Sequence, residues 1–237
     1  MYRSLRIGVV IPALNEEGAI GKVVSRLLAL TNDEGRIVDQ LVVCDNGSTD
    51  ATATRAADAG ADVVTQLEPG YGITCQTAVA ALTDVDVVLF VDGDDSCLPD
   101  EAVHLLNGII AGNALAIGSR TLGNMHSGAL TMPQRAGNLL AAWLIHWLWH
   151  HKVTDLGPFR AIRFDAYQQL QMQDRRFGWT VEMQVKCIQH RLPISEHPVT
   201  STRRIGKSKI SGTLRGTLGA AHGILGMIAR LYFSTPS

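Results

Sequence analysis

The chain has 237 residues, 46% of them apolar, and a formal net charge of −1, enough to bury one core of ordinary domain size. Near neutrality excludes a generic polyanion binder, because non-specific nucleic-acid affinity sums many Lys and Arg contacts to phosphate. No nucleic-acid partner is expected, and any basic site must be local. Cys44, Cys75, Cys97 and Cys187 are far apart, form no C-x-x-C pair and sit in apolar or helical patterns, which reads as free thiols in a reducing, cytoplasmic setting.

At the N-terminus, MYRSLRIGVVIPALNEE has too short an apolar run for a secretory leader and reads as a first strand. Further β-branched runs follow as DQLVVCD, ADVVTQ, VDVVLFVD and ALAIGS, separated by helical spacing over 20–30, 51–59, 71–82 and 99–110. Strands that are apolar throughout are covered on both faces, so this half predicts an α/β sandwich around a mostly parallel sheet. Each of four strands then closes on a polar cluster: PALNEE, DNGSTD, DGDDS and GSRTLG. All four belong on the carboxyl rim, where such sheets bind ligands.

Beyond Gly123 the pattern shifts. TMPQRAGNLLAAWLIHWLWHH predicts a strongly apolar helix and TDLGPFR a loop; a helix over 180–190, a strand near 194–200, the basic loop RRIGKSKISG and an amphipathic helix from 213 complete the chain. The longest uncharged apolar stretch, LLAAWLIHWLW, is well short of the roughly 20 residues a spanning helix needs. Trp143, Trp147 and Trp149 fit either a helix packed on the sheet or one lying at a bilayer interface. His146 and His150 share a helix face, but no carboxylate or thiol nearby completes a metal set.

The stretch LFVDGDDSC runs a buried strand into Asp92, Asp94 and Asp95. Crowded carboxylates repel one another, and a divalent cation would relieve the cost. Oxygen ligands suit Mg²⁺ or Mn²⁺, and Mg²⁺ prefers one or two carboxylates plus the oxygens of a diphosphate. Taken alone, D-x-D fits solvated loop charges and a helix cap as well. Asn15 with Glu16 and Glu17, and Asp45 with Asn46 to Asp50, are likewise explicable as helix capping and turn chemistry.

Together and in this order, VVIPALNEE, VVCDNGSTDAT, LFVDGDDS, AIGSR, TDLGPFR and RRIGKSKISG resemble glycosyltransferase family 2, most of all its dolichyl- and polyprenyl-phosphate sugar synthases. The resemblance spans nearly the whole chain. It implies a GT-A fold, a Rossmann-like nucleotide-sugar sheet, as one domain over 1–237, with 1–122 binding the nucleotide sugar and 123–237 the acceptor. It implies nucleotide contacts from Pro12, Ala13, Asn15, Glu17, Asp45 and Gly93, and a Mg²⁺ or Mn²⁺ site at Asp92 and Asp94, with Asp94 favoured as the direct ligand. Arg120, Arg135, Arg203, Arg204, Lys207 and Lys209 become candidate anion clamps for the diphosphate or the acceptor phosphate, a task suited to the planar guanidinium fork. Asp155 and Glu182 occupy acceptor-side motifs and would be the base if one is required, so Asp94, Asp155 and Glu182 are the catalytic candidates. In one respect the chain departs from the pattern: Ser96 stands where lipid-phosphate synthases often carry Gln.

The reading that follows is metal-dependent transfer of a sugar from a UDP- or GDP-sugar to a polyprenyl phosphate at the cytoplasmic membrane face, with inversion. Two alternatives stay open: the same donor chemistry with a soluble hydroxyl acceptor, and a catalytically silent nucleotide-sugar-binding regulator. A dehydrogenase is disfavoured, because PALNEE stands where G-x-G-x-x-G would follow the first strand.

Overall fold

A computed structural model describes residues 1–206 and 214–234, with the side chains of 214–218 and 220 left aside. The first half alternates strand and helix: β1 (Ile7–Ala13), α1 (Ile20–Leu28), a small hairpin of β2 (Thr31–Asn32) and β3 (Gly35–Arg36), β4 (Val38–Asp45), α2 (Thr52–Asp58), β5 (Asp62–Thr65), α3 (Tyr71–Ala80), β6 (Val87–Phe90), α4 (Ala102–Ile110) and β7 (Leu115–Ser119). The second half contributes α5 (Met132–Trp149), β8 (Arg160–Arg163), α6 (Phe164–Leu170), α7 (Trp179–Gln189), β9 (Ile194–Pro198) and α8 (Leu214–Phe233).

Seven strands form one sheet in the order β5-β4-β1-β6-β8-β7-β9. Only β8 runs against the others, pairing antiparallel with both β6 and β7. The ends of β1, β4, β6 and β7 therefore share one rim, as the four polar clusters required. Along β1 every strand residue but Pro12 is buried, and alternate residues enter two different cores. Val9 and Ile11 face α1 and α4 with Leu89 and Val91, whereas Val10 faces α3, α6 and α7 with Val88 and Phe90. A third apolar cluster joins α5, α7 and α8 through Ile145, Val185 and Met227.

Two elements differ from the sequence expectation. TDLGPFR was expected to be loop throughout, yet its last residue opens β8, and α6 follows at once. The run Arg160–Arg163 is only four residues long and carries an arginine at each end, so no local apolar pattern marks it; the gap between β6 and β7 makes it a strand. The four cysteines are free and buried, as expected.

Trp179 opens α7 against this second core, with its ring 6.2 Å from Phe90 and 6.1 Å from Tyr167. Replacing so large a buried aromatic leaves a cavity that a packed core fills poorly. Trp179→Ala should lower unfolding stability in urea by about 3–5 kcal/mol; a loss under about 1 kcal/mol would mean that α7 is not held through this cluster.

Candidate active site

The end of β6 turns through Asp92-Gly93-Asp94 into the rim. Asp94 is buried, with Oδ1 accepting the Ser96 N–H at 3.0 Å and Oδ2 paired with Arg204 at 3.0 Å. Asp92 Oδ1 accepts the Tyr71 hydroxyl at 3.1 Å. Burial, and then the charge of Asp94, raise the Asp92 pKa to about 7, although Arg204, Tyr71 and Arg120 pull the other way. Burial first, and Asp92 second, hold the Tyr71 phenol protonated well above its usual range, so its O–H remains the donor. Asp95 faces elsewhere: its backbone is left-handed at φ 59°, and its carboxylate meets Lys22 and Arg26 of α1.

Arg204 arrives on a segment that runs beside the acid loop. Thr202 N–H donates to Ser96 O and Ile205 N–H to Asp94 O, both at 2.9 Å, while Thr202 Oγ1 donates to Asp95 O at 2.6 Å. These bonds place the guanidinium without relying on its own ion pair.

Asp92 and Arg204 stand between two compartments. The larger, about 300 Å³, is lined by Pro12, Ala13, Glu16, Asn46, Gly70, Tyr71, Gly93, Asp94, Arg176 and Phe177 as well. The smaller, about 50 Å³, is lined by Ser96, Arg120, Gln134, Pro158 and Phe159 as well. A wider concavity of about 620 Å³ among Arg3, Val85, Asp86 and Arg163 opens at the opposite ends of the strands, away from this rim.

Of the expected nucleotide contacts, Pro12, Ala13 and Gly93 line the larger compartment. Asn15 and Glu17 do not: Asn15 Oδ1 accepts the Thr49 N–H at 2.7 Å and Glu17 Oε2 the Ala51 N–H at 3.2 Å, which ties the β1 rim loop to the β4 loop. Glu16 takes the lining position instead. Asp45 is buried, with Oδ2 accepting the Ser48 N–H at 3.1 Å and Oδ1 without a hydrogen-bond partner among the described residues.

Both candidate bases already have partners within the chain. Asp155 is fully buried, and Arg120 donates to it from Nε at 2.8 Å, Nη2 at 2.7 Å and the backbone N–H at 2.7 Å. All three bonds come from Arg120, whose guanidinium this carboxylate orients. Glu182 is buried in α7, lining another cavity with Gln173, Lys186 and Arg230. Arg135 and Arg203 are exposed and line neither compartment, so of the arginine clamps only Arg120 and Arg204 reach the site. Lys207 and Lys209 lie outside the described residues.

Sequence reasoning missed Tyr71, Asn46, Arg176 and Phe177. It also missed Arg160, buried at the rim end of β8, whose guanidinium donates to the carbonyls of Gly157 and Thr180 and so orders the loop before it. Burial lowers the Arg160 pKa to about 10.

Residues 8–171 match the family model described as glycosyl transferase family 2. The chain belongs to that family. Over 214 residues it is 32% identical to an uncharacterised glycosyltransferase of Mycobacterium tuberculosis, covering 90% of this chain and 93% of that one. Over 207 residues it is 31% identical to a dolichyl-phosphate hexose transferase of Haloferax volcanii, covering 86% of each. In structure it is similar to glucosyl-3-phosphoglycerate synthase of Mycobacterium tuberculosis, solved in complex with Mn²⁺, UDP and phosphoglyceric acid, with a TM-score of 0.74, 23% identity and coverage of 97% of this chain and 79% of that one. The glycosyltransferase thus has the GT-A fold that its motifs implied.

The raised pKa of Asp92 has a thermodynamic consequence. An unfolded Asp ionises near 3.9, so the folded protein holds this proton more tightly, and the resulting stability is present below pH 4 and lost as pH rises through about 7. With metal removed by chelation, Asp92→Asn should melt higher than wild type at pH 8 and equally at pH 4. Equal melting at both pH values would show that the acid pair stores no repulsion.

Proposed function

We propose that this glycosyltransferase uses Mg²⁺ or Mn²⁺ to move a hexose from a UDP- or GDP-sugar to a polyprenyl or dolichyl phosphate at the cytoplasmic face of a membrane, with inversion. The observation that carries the proposal is the acid pair joined to Arg204 at the meeting of the two compartments. Among the described residues no group of three or more His, Cys, Asp or Glu makes a metal cage built from protein alone. Two carboxylates that need counter-charge, beside a cavity open to substrate, suit a cation that takes its remaining ligands from a diphosphate. Asp92 and Asp94 would hold that cation, which when bound offsets the charge on the leaving nucleoside diphosphate.

The larger compartment would take the donor nucleotide and the smaller the acceptor head. Arg204 borders both, where it can follow charge from the donor diphosphate to the acceptor. Asp155 lies behind Arg120 and is committed to it, and Asp92 is the one carboxylate that lines the smaller compartment among the described residues. Such a site offers a guanidinium rather than a spare base, which favours an acceptor that needs no deprotonation. A phosphate monoester, with a second pKa near 6, is such a nucleophile: its oxygen bonds to the anomeric carbon as the bond to the diphosphate breaks.

A lipid acceptor is also supported by α5, which exposes Met132, Leu139, Trp143 and Trp147 along one face, the two indoles stacked at 6.3 Å. Exposed Trp on an amphipathic helix suits the bilayer interface. Among the described residues no helix is long and apolar enough to cross a membrane, so contact would be peripheral. A second reading, a small phosphorylated acceptor, is favoured by the phosphoglyceric acid bound in the similar synthase and by the modest size of the smaller compartment.

The deciding assay is nucleoside diphosphate release from UDP- and GDP-sugars with Mn²⁺ or Mg²⁺, with polyprenyl phosphate, with phosphoglycerate, or with neither. Release that requires lipid, metal and Asp94, and vanishes in Asp94→Ala, is expected; stimulation by phosphoglycerate but not by lipid would transfer the assignment to the second reading. Arg204→Ala should lower kcat by about 100-fold or more, the usual cost of losing a charged donor aimed at a developing anion. Wild-type turnover in that variant would remove Arg204 from the site.

A further inference from the structure

One wall of the donor cavity comes from no strand end. Residues 172–178 leave α6, cross the N-terminus of α3 and enter α7, and on the way Arg176 and Phe177 line the cavity. The crossing is made by backbone. Gly72 N–H donates to Arg176 O at 3.1 Å and Ile73 N–H to Arg175 O at 3.0 Å. First-turn N–H groups have no acceptor within their own helix, and no side chain caps α3, so the strap's carbonyls act as its cap.

This contact explains the sequence Gly70-Tyr71-Gly72. A Cβ on Gly70 would stand 2.1 Å from Arg175 O, and one on Gly72 2.1 Å from Asp174 O. Both glycines let the strap lie against the helix end, and the tyrosine between them reaches Asp92. Gln76 Nε2 adds a bond to Asp174 O at 3.0 Å, and Arg175 pairs with Glu68.

The other side of the strap is held by Glu182. Its two oxygens accept the N–H groups of Gln173 at 2.9 Å and Asp174 at 2.7 Å, and Lys186 pairs with it at 2.8 Å. Lys186 Nζ donates in turn to the carbonyls of Leu170 and Gln171, each at 2.9 Å. A buried carboxylate and a half-buried ammonium thus fix the chain just before Arg176 and Phe177.

We propose that the 172–178 strap is part of the donor site, that Arg176 and Phe177 contact the bound nucleotide sugar, and that Glu182 is the positioning residue that holds them there. The proposal rests on the larger compartment being the donor site. Its chemistry fits the role: Arg176 and Arg204 both line the compartment, and guanidinium groups suit a diphosphate. Among the described residues no carboxylate forms an ion pair with Arg176. Phe177, with Pro12, Leu14 and Pro69, supplies apolar surface beside it.

The test is calorimetric titration of the whole chain with UDP, and separately GDP, in Mn²⁺, alongside the pH profile of turnover. Arg176→Ala, an exposed position that folding should tolerate, is expected to weaken nucleotide binding about tenfold or more, the scale of one charge-assisted hydrogen bond. Glu182→Gln should weaken it comparably, with kcat at saturating donor largely kept and the pH profile unchanged in shape. Wild-type nucleotide affinity in both variants overturns the strap's role, and a collapse of kcat with altered pH profile in Glu182→Gln would make that residue the base after all. Failure of the wild type to bind either nucleotide is a separate outcome that overturns the donor-site reading, and the proposal with it.

Discussion

Two carboxylates one residue apart at the end of a buried strand set the terms for this rim. Left alone they repel each other in a poorly solvated place, and the surrounding chain meets that cost in several ways. Arg204 pairs with Asp94 at 3.0 Å, the Tyr71 hydroxyl hydrogen-bonds Asp92, and Asp92 keeps a proton up to about pH 7. The first two come from different parts of the sequence. The acid pair therefore acts as the point on which the β6 end, the α3 N-terminus and the segment after β9 converge.

The two halves of the chain meet there for the same reason. β8 enters the sheet from the second half, between β6 and β7, and carries the TDLGPF loop to the rim, where Asp155 locks Arg120. The strap before α7 closes over the first turn of α3, and the segment after β9 lies alongside the acid loop. A glycosyltransferase needs a donor pocket and an acceptor pocket sharing one reactive centre. Here, on the proposed reading, the elements that build the second pocket also complete the first.

The local patterns carried much of this on their own. Strands with apolar residues at every position predicted a sheet covered on both faces, and the two cores divided by alternate residues of β1 are that expectation met. The D-x-D stretch and the clusters at the ends of β1 and β4 were legible as a ligand rim. Less legible were roles assigned motif by motif. Asp155 and Glu182 stood in acceptor-side motifs as bases if one is required; one is bound to an arginine 35 residues away and the other to backbone N–H groups of the strap. Glu16 and Glu17 are adjacent and chemically alike, and which of them faces the cavity depends on how the β1 loop bonds to the β4 loop.

Composition, periodicity and motif order determined the α/β class, the parallel rim and the acid pair, because these follow from burial and spacing along a continuous stretch of chain. The motifs determined the family as well. Tertiary structure alone decided which charges are spoken for and which face the cavity, since an ion pair or a backbone cap joins residues that no local pattern relates. It also decided that a four-residue run flanked by arginines becomes a central strand, and that a Gly-Tyr-Gly helix start exists to receive another segment. In each case the cause is a partner distant in sequence, and distance in sequence is what a local reading cannot cross.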